Sequence, residues 1–270
     1  MTKKQKCKVV FYKKLGLRVG GKMSVENKFI EVEGLYKKYT AKGDCAIENI
    51  SLHGFSGEVI GILGHNGAGK STTIKCMTGI HPYQQGFIKV CGYDLQKEQL
   101  LAKSNFGYVT DEFTLFEKMT GYEYIKFLAD VYKVEQKDRE ERIAQFQKWF
   151  ALGDAINQII GSYSHGMKQK ISLMGALIHL PKVFILDEPM VGLDPFTSNQ
   201  LKKFIKEYAK QGNLVLFSSH NLDVVSKLCN RVYIIDQGHI LETLDMEAFN
   251  KTNQDFEEYF LSITQRTAKV

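Results

Sequence analysis

The apolar positions of this chain change period several times, and each change predicts a change of element. Phe29 to Val32 alternates apolar and acidic residues, as a half-exposed strand does. Leu35-Tyr36-Lys37-Lys38-Tyr39 follows, then a turn at Lys42-Gly43-Asp44, and Ala46 to Leu52 reads as another strand. Val59-Ile60-Gly61-Ile62-Leu63 is a short continuous apolar run, which predicts a buried strand. From Ser71 to Ile80 the apolar residues Ile74, Met77 and Ile80 fall at helical spacing. Gly86 to Val90 and Phe106 to Val109 return to strand character. The period then lengthens again. Tyr124, Phe127, Leu128 and Val131 lie three or four apart, as do Ile143, Phe146 and Phe150. This predicts two amphipathic helices separated by the charged stretch Lys137-Asp138-Arg139-Glu140-Glu141. Met167, Ile171, Met174, Leu177 and Ile178 make a further helical face, opened by Ser164, a good capping residue. Val183 to Leu186 and Leu214 to Phe217 are continuous apolar runs, the former fitting a central parallel strand buried on both faces. The pattern is that of an α/β chain interrupted by a helical insert of about 50 residues, roughly 115–165.

Three of these strands end in residues with chemistry. Gly64-His65-Asn66-Gly67-Ala68-Gly69-Lys70-Ser71-Thr72, between a buried strand and a helix, fits the phosphate-loop pattern G-x-x-x-x-G-K-[ST]. Its glycines let backbone N–H groups converge on a polyphosphate at the positive end of a helix, Lys70 adds charge, and the Ser71 hydroxyl suits Mg²⁺. Asp187 and Glu188 end the strand at 183–186, where adjacent carboxylates are costly unless they serve a metal or a proton transfer. Beside a phosphate loop they read as an acid that stands behind Mg²⁺ and an acid that orients or deprotonates water. Ser218-Ser219-His220 ends the strand at 214–217, where open α/β sheets place ligands.

Composition narrows the class. The 270 residues are 44% apolar and 24% charged, ordinary for a globular protein. No apolar run approaches the roughly 18 residues that span a bilayer. The longest candidate, Met174 to Leu186, is broken by His179, Pro181 and Lys182, and the N-terminus lacks the apolar segment of a secretory signal. Five scattered cysteines without C-x-x-C spacing argue for free thiols in a reducing compartment. Charge is uneven. Residues 1–22 carry seven lysines and Arg18 with no acid, and without them the net charge falls from +6 to −2. Such a segment suits anionic lipid headgroups or nucleic acid, but it is also what a solvated end or an upstream extension before Met23 looks like.

Taken in order, phosphate loop, helical insert, Ser164-Gly166 helix start, Asp187-Glu188-Pro189, Gly192-Leu193-Asp194 and His220 resemble the ATP-binding-cassette (ABC) ATPase subunits of membrane transporters, over about residues 29–242. The resemblance implies a P-loop NTPase fold, α/β, with a RecA-like parallel-sheet core, an N-terminal antiparallel β subdomain and an inserted α-helical subdomain. It implies an ATPase domain at 28–243, flanked by the basic extension 1–27 and a helical tail at 244–270. It also implies roles. Tyr39, ahead of Tyr36 as a choice, stacks on adenine. Gly64, His65, Asn66, Gly67, Ala68, Gly69, Lys70, Ser71 and Thr72 wrap the phosphates of ATP. Ser71 and Asp187 hold Mg²⁺, Glu188 is the catalytic carboxylate and His220 meets the γ-phosphate. Ser164, His165, Gly166 and Met167 form a signature that reaches ATP on a second ATPase subunit, identical or different, and Asp194 links the two sites. Two positions depart from the family. Tyr163-Ser164-His165-Gly166-Met167 stands where Leu-Ser-Gly-Gly-Gln is common, and Asp111, expected to approach the nucleotide and Mg²⁺, stands where Gln is usual. Both variants resemble the exporter branch for drugs, peptides or lipid-linked material, whose partner is a separate transmembrane permease subunit. The expectation is an ATPase at the cytoplasmic face of the cell membrane, with no nucleic-acid partner. The alternatives are a non-transport ABC ATPase or a regulatory ATP-binding protein. The first is opposed by an insert without sustained heptads and by the single phosphate loop, the second by the presence together of Lys70, Asp187, Glu188 and His220.

Overall fold

The computed structural model describes residues 28–40, 43 and 45–267. The basic extension, with every reading made of it, lies outside the described residues, as do Lys42 and Asp44 of the expected turn. The described chain divides into two compact units, Lys28–Thr114 with the residues from Leu180 onward, and Leu115–His179.

The larger unit holds two sheets. In the first, β1 (Lys28–Lys38) pairs antiparallel with β2 (Cys45–Phe55) and with β4 (Gln85–Val90), and β5 (Tyr93–Asp94) completes the order β2-β1-β4-β5. Phe29–Val32 and Leu35–Lys38 are thus one strand. Register shifts between Val32 and Leu35 hide its continuity by breaking the alternation. The second sheet contains β3 (Val59–Leu63), β6 (Phe106–Val109), β7 (Val183–Leu186), β8 (Leu214–Ser219), β9 (Arg231–Asp236) and β10 (His239–Asp245), in the order β10-β9-β3-β8-β7-β6. All its pairs are parallel except the β9–β10 hairpin. Every residue of β3, β7 and β8 is buried, which is why these strands read as continuous apolar runs. Ile30, Val32 and Leu52 of the first sheet share a core with Ile60, Ile62 and Leu216 of the second and with Ile74 and Met77 of α1 (Lys70–Met77). The Tyr233 hydroxyl ties β9 to β2, donating to His53 O (2.9 Å) and accepting from His53 N (3.1 Å). The remaining helices are α2 (Gln99–Ser104), α6 (Pro195–Lys210), α7 (Leu222–Leu228), α8 (Met246–Asn250) and α9 (Phe256–Thr267).

The smaller unit is helical: α3 (Gly121–Val131), α4 (Gln136–Phe150) and α5 (His165–Leu177), with 3₁₀ turns at Gly153–Asn157 and Ile160–Ser162. Thr120 and Glu123 open α3 with a reciprocal cap, Glu123 N to Thr120 Oγ1 (3.2 Å) and Thr120 N to Glu123 Oε2 (2.8 Å). Two sequence expectations are corrected. The charged stretch 137–141 does not separate the helices but forms the first turns of α4, because its residues are good helix formers paired within the unit. Arg142 Nη2 meets Asp138 Oδ2 one turn away at 2.8 Å, and Arg139 pairs with Asp130. The break falls instead at Tyr132–Glu135. The unit also runs past 165 to His179, since α5 buries Ile171, Met174 and Leu177 in the same core as Ile125, Ile143 and Phe146.

Candidate active site

The strands β3, β8, β7 and β6 lie side by side; segments beyond the C-terminal ends of β3, β7 and β6 line one cleft of about 690 Å³, and His220 beyond β8 is bonded to its wall through Glu188. Gly64–Thr72 follow β3, Asp187 and Glu188 follow β7, His220 follows β8 and Asp111 stands two residues past β6. The phosphate loop needs glycine at two points. A Cβ on Gly64 would lie 2.2 Å from Ile235 O, and Gly69 caps α1 at φ 105°, a conformation that side chains resist. The hairpin turn Gln237-Gly238 braces the loop from outside. Gly238 N donates to Ala68 O (2.9 Å), while Gly238 O accepts from Glu48 N (2.8 Å). Lys70 is buried, and its Nζ donates to Gly64 O (2.8 Å) and His65 O (3.0 Å), so the lysine closes the loop on itself. The His65 ring packs against Phe260 of α9, centroids 5.2 Å apart.

The two carboxylates sit in different surroundings. Asp187 is buried. Its Oδ1 accepts from Ser71 Oγ (3.1 Å) and Ser218 Oγ (2.5 Å), and its Oδ2 has no hydrogen-bond partner. Burial raises its carboxyl above the usual range against the pull of the Ser218 and Ser71 bonds. A buried carboxylate oxygen with unused lone pairs, next to a serine hydroxyl, is the donor set of a hard cation. Among the described residues no group of three or more His, Cys, Asp or Glu could hold a metal alone. Ser71 and the uncommitted Asp187 Oδ2 fit Mg²⁺, which takes one or two carboxylates and draws its other ligands from phosphates and water. Glu188 is held between two cationic or potentially cationic groups. Its Oε1 lies 3.5 Å from Lys70 Nζ, and both its oxygens lie 3.1 Å from His220 Nδ1. That bond requires the proton on Nδ1 and leaves Nε2 of an exposed ring free to face a ligand. Asp111 lines the same cleft. Its Oδ1 accepts from Thr110 Oγ1 (2.9 Å) and Glu112 N (3.0 Å).

Tyr39 is exposed at the rim, its hydroxyl 3.1 Å from Thr72 Oγ1 and its ring edge-on to His81. Tyr36 does not line the cleft, and its hydroxyl stands beside Cys45. Asn66, Gly67, Ser71 and Thr72 all line it. Asp194 caps α6, its Oδ1 accepting from Phe196 N and Thr197 N, each at 2.9 Å. Ser164 caps α5 in the smaller unit, accepting from Met167 N (3.3 Å). Ser164 and His165 are exposed, and a Cβ on Gly166 would meet nothing within 4 Å. The larger unit thus brings Tyr39, Lys70, Ser71, Asp111, Asp187, Glu188 and His220 to one place, and the signature residues belong to the other unit.

Sequence reasoning placed Ser218 at a strand end without giving it a role, and it missed the Gln237-Gly238 turn and Cys45 at this site. The run Val232-Tyr233-Ile234-Ile235 followed by a Gly turn is the signal that would have found the hairpin. Cys45 offers a probe. Burial pushes the Cys76 and Cys91 thiols up to about 11 and raises Cys229 as well. Of the four described cysteines, Cys45 is the one on the cleft wall. Among these four, iodoacetamide at pH 8 is expected to label Cys45 first, and ATP to protect it. Peptide-resolved mass spectrometry reads both.

A model of the ABC transporter family matches residues 47–191. The chain is 35% identical to the linearmycin resistance ATP-binding protein LnrL of Bacillus subtilis (strain 168) over 78% of its own length and 68% of that protein. It is 34% identical to the SkfA peptide export ATP-binding protein SkfE of the same organism, over 82% and 91%. A solved structure of an ATP-binding subunit of an ABC transporter superposes with a TM-score of 0.82 at 28% identity, covering 87% of this chain and 99% of the other.

Proposed function

This chain belongs to the ABC transporter family, as an ATP-binding subunit that hydrolyses ATP, and within that role we propose how its residues divide the work. The observation that carries the reading is the pair at the end of β7, one buried carboxylate with an uncommitted oxygen beside Ser71 and one held between Lys70 and His220. Ser71 and Asp187 hold Mg²⁺, with Asp111 across the cleft. The cation, when bound, neutralises charge on the phosphate oxygens. Backbone N–H groups of Gly64–Thr72 and the Lys70 ammonium bind the phosphates, and Tyr39 offers its face to adenine. Glu188 accepts a proton from the attacking water, and His220 orients the carboxylate through Nδ1 and meets the γ-phosphate through Nε2.

The site is completed by a second subunit. Ser164, His165, Gly166 and Met167 present an exposed, capped helix start suited to the γ-phosphate of ATP on a partner. Asp194, flanked by the exposed Val191 (53%) and Phe196 (66%), lies on the surface that meets it. The work is delivered to a transmembrane permease. The proposed contacts are Asp111 and Phe113 on the larger unit and, on the smaller, Phe116 and Phe127, whose rings stand edge-on at 5.5 Å with both exposed. No helix of the described residues is long and apolar enough to cross a membrane. Through the permease the chain would sit on the inner face of the membrane. There the basic segment 1–22 meets anionic headgroups. The kinship with resistance and peptide-export proteins favours export.

A shared site predicts that specific ATPase activity rises with protein concentration. Phosphate release measured from well below to well above the range where the chain self-associates by light scattering tests it. Constant activity per subunit across that range would mean that each monomer is catalytically complete.

A further inference from the structure

We propose that Ser218 is a positioning residue that locks the metal-binding carboxylate of Asp187 to the backbone amide of Glu188, the water-activating residue. Its hydroxyl has one proton and spare lone pairs, and both are in use. The proton goes to Asp187 Oδ1 (2.5 Å), and a lone pair accepts Glu188 N–H (2.9 Å). Ser218 is wholly buried on β8, so water does not compete for either bond. The ladder between β7 and β8 ends at Leu186 opposite Phe217. The next residues along are the ones that act, and there the serine side chain replaces the backbone bonds that the ladder no longer supplies.

Both consequences bear on catalysis. Holding Oδ1 leaves Oδ2 as the uncommitted oxygen of Asp187. Holding the Glu188 amide supports a backbone at φ 45°, which a residue bearing a Cβ adopts at a cost and keeps only when its surroundings impose it. The Ser218 hydroxyl is buried and committed to both bonds, so it works through its two neighbours. Side chains that orient a metal ligand in this way typically change metal affinity or activity about 10–100-fold when removed.

This inference rests on the roles given to Asp187 and Glu188 above, and the test separates the two. A fluorescent ATP analogue reports nucleotide binding in EDTA, and electron paramagnetic resonance of free Mn²⁺ reports metal binding to the nucleotide-loaded protein. For Ser218→Ala, binding in EDTA is expected to match wild type, Mn²⁺ affinity to fall about tenfold or more, and kcat to fall with little change in KM for ATP. Ser218→Thr keeps the hydroxyl and is expected to restore Mn²⁺ affinity. Wild-type Mn²⁺ affinity and kcat in Ser218→Ala would overturn the proposal. So would equal loss of nucleotide binding with and without metal, which marks a packing role, and so would a threonine variant as defective in Mn²⁺ binding as alanine. Asp187→Asn is the control. If it retains Mn²⁺ affinity, the metal assignment itself fails. If it loses that affinity while Ser218→Ala does not, only the role of Ser218 fails.

Discussion

Glu188→Gln is expected to lower ATP turnover about 10²–10⁴-fold while leaving ATP binding at least as tight as in wild type. The substitution conserves volume and keeps one oxygen to accept from His220 Nδ1, so the surroundings of the side chain persist. It removes two things. A carboxamide cannot take the proton of the attacking water, which removes general-base catalysis. It also removes the negative charge 3.5 Å from Lys70 Nζ. In the wild type that charge competes with the γ-phosphate for the same ammonium, so its loss offsets any small packing cost in the ATP complex. Single-turnover phosphate release and equilibrium binding of a fluorescent ATP analogue, run side by side, separate the two effects. Wild-type turnover in this variant would remove Glu188 from the role of base. Equal loss of binding and turnover would mean that the side chain holds nucleotide and not water.

Much of this site is legible in the sequence because its chemistry is written in short contiguous stretches. The phosphate loop is nine consecutive residues between an apolar run and a helical one, and Asp187-Glu188 end a strand whose burial on both faces makes its four residues uniformly apolar. The hidden part depends on which strand lies beside which. Ser218 is one more serine in Phe217-Ser218-Ser219-His220 until β8 is known to lie next to β7, and then its hydroxyl is seen to bond the Asp187 carboxylate and the Glu188 amide together. Cys45 and the Gln237-Gly238 turn reach the cleft from opposite ends of the chain. Helix boundaries fail for another reason. Charged residues such as Lys137–Glu141 read as a linker by hydropathy, yet their helix propensity and their pairing partners place them inside α4. Sequence reasoning also missed α6, although Asp194-Pro195 is a strong start signal, a capping acid followed by proline at the first helical position.

Asp187→Asn is expected to stabilise the nucleotide-free protein and to disable it. The carboxyl of Asp187 is raised by burial, and its Oδ2 has no partner. A folded-state value above the unfolded one means that the ionised form is disfavoured on folding. The wild type therefore has its full share of stability below the unfolded carboxyl value of about 3.9, and loses it as pH rises through the raised folded value. Asparagine keeps an oxygen for the Ser71 and Ser218 hydroxyls and carries no charge, so the variant escapes that loss. In EDTA without nucleotide its melting temperature should exceed that of wild type near pH 7, and the gap should close as pH falls toward 4. Each 1 kcal/mol reads as about 2–4 °C in a domain of this size. With Mg²⁺ and ATP the order should reverse, because the bound cation compensates the carboxylate and stabilises wild type by mass action, while the variant has lost that ligand. Turnover should fall roughly 10²–10³-fold, the equivalent of the few kcal/mol that a metal contributes to phosphoryl charge stabilisation. Thermal melts across pH in both conditions, with phosphate release at pH 7, decide it. A variant less stable than wild type in EDTA at pH 7 would show that the Asp187 charge is compensated within the protein. The uncommitted Oδ2 would then cease to mark a cation site.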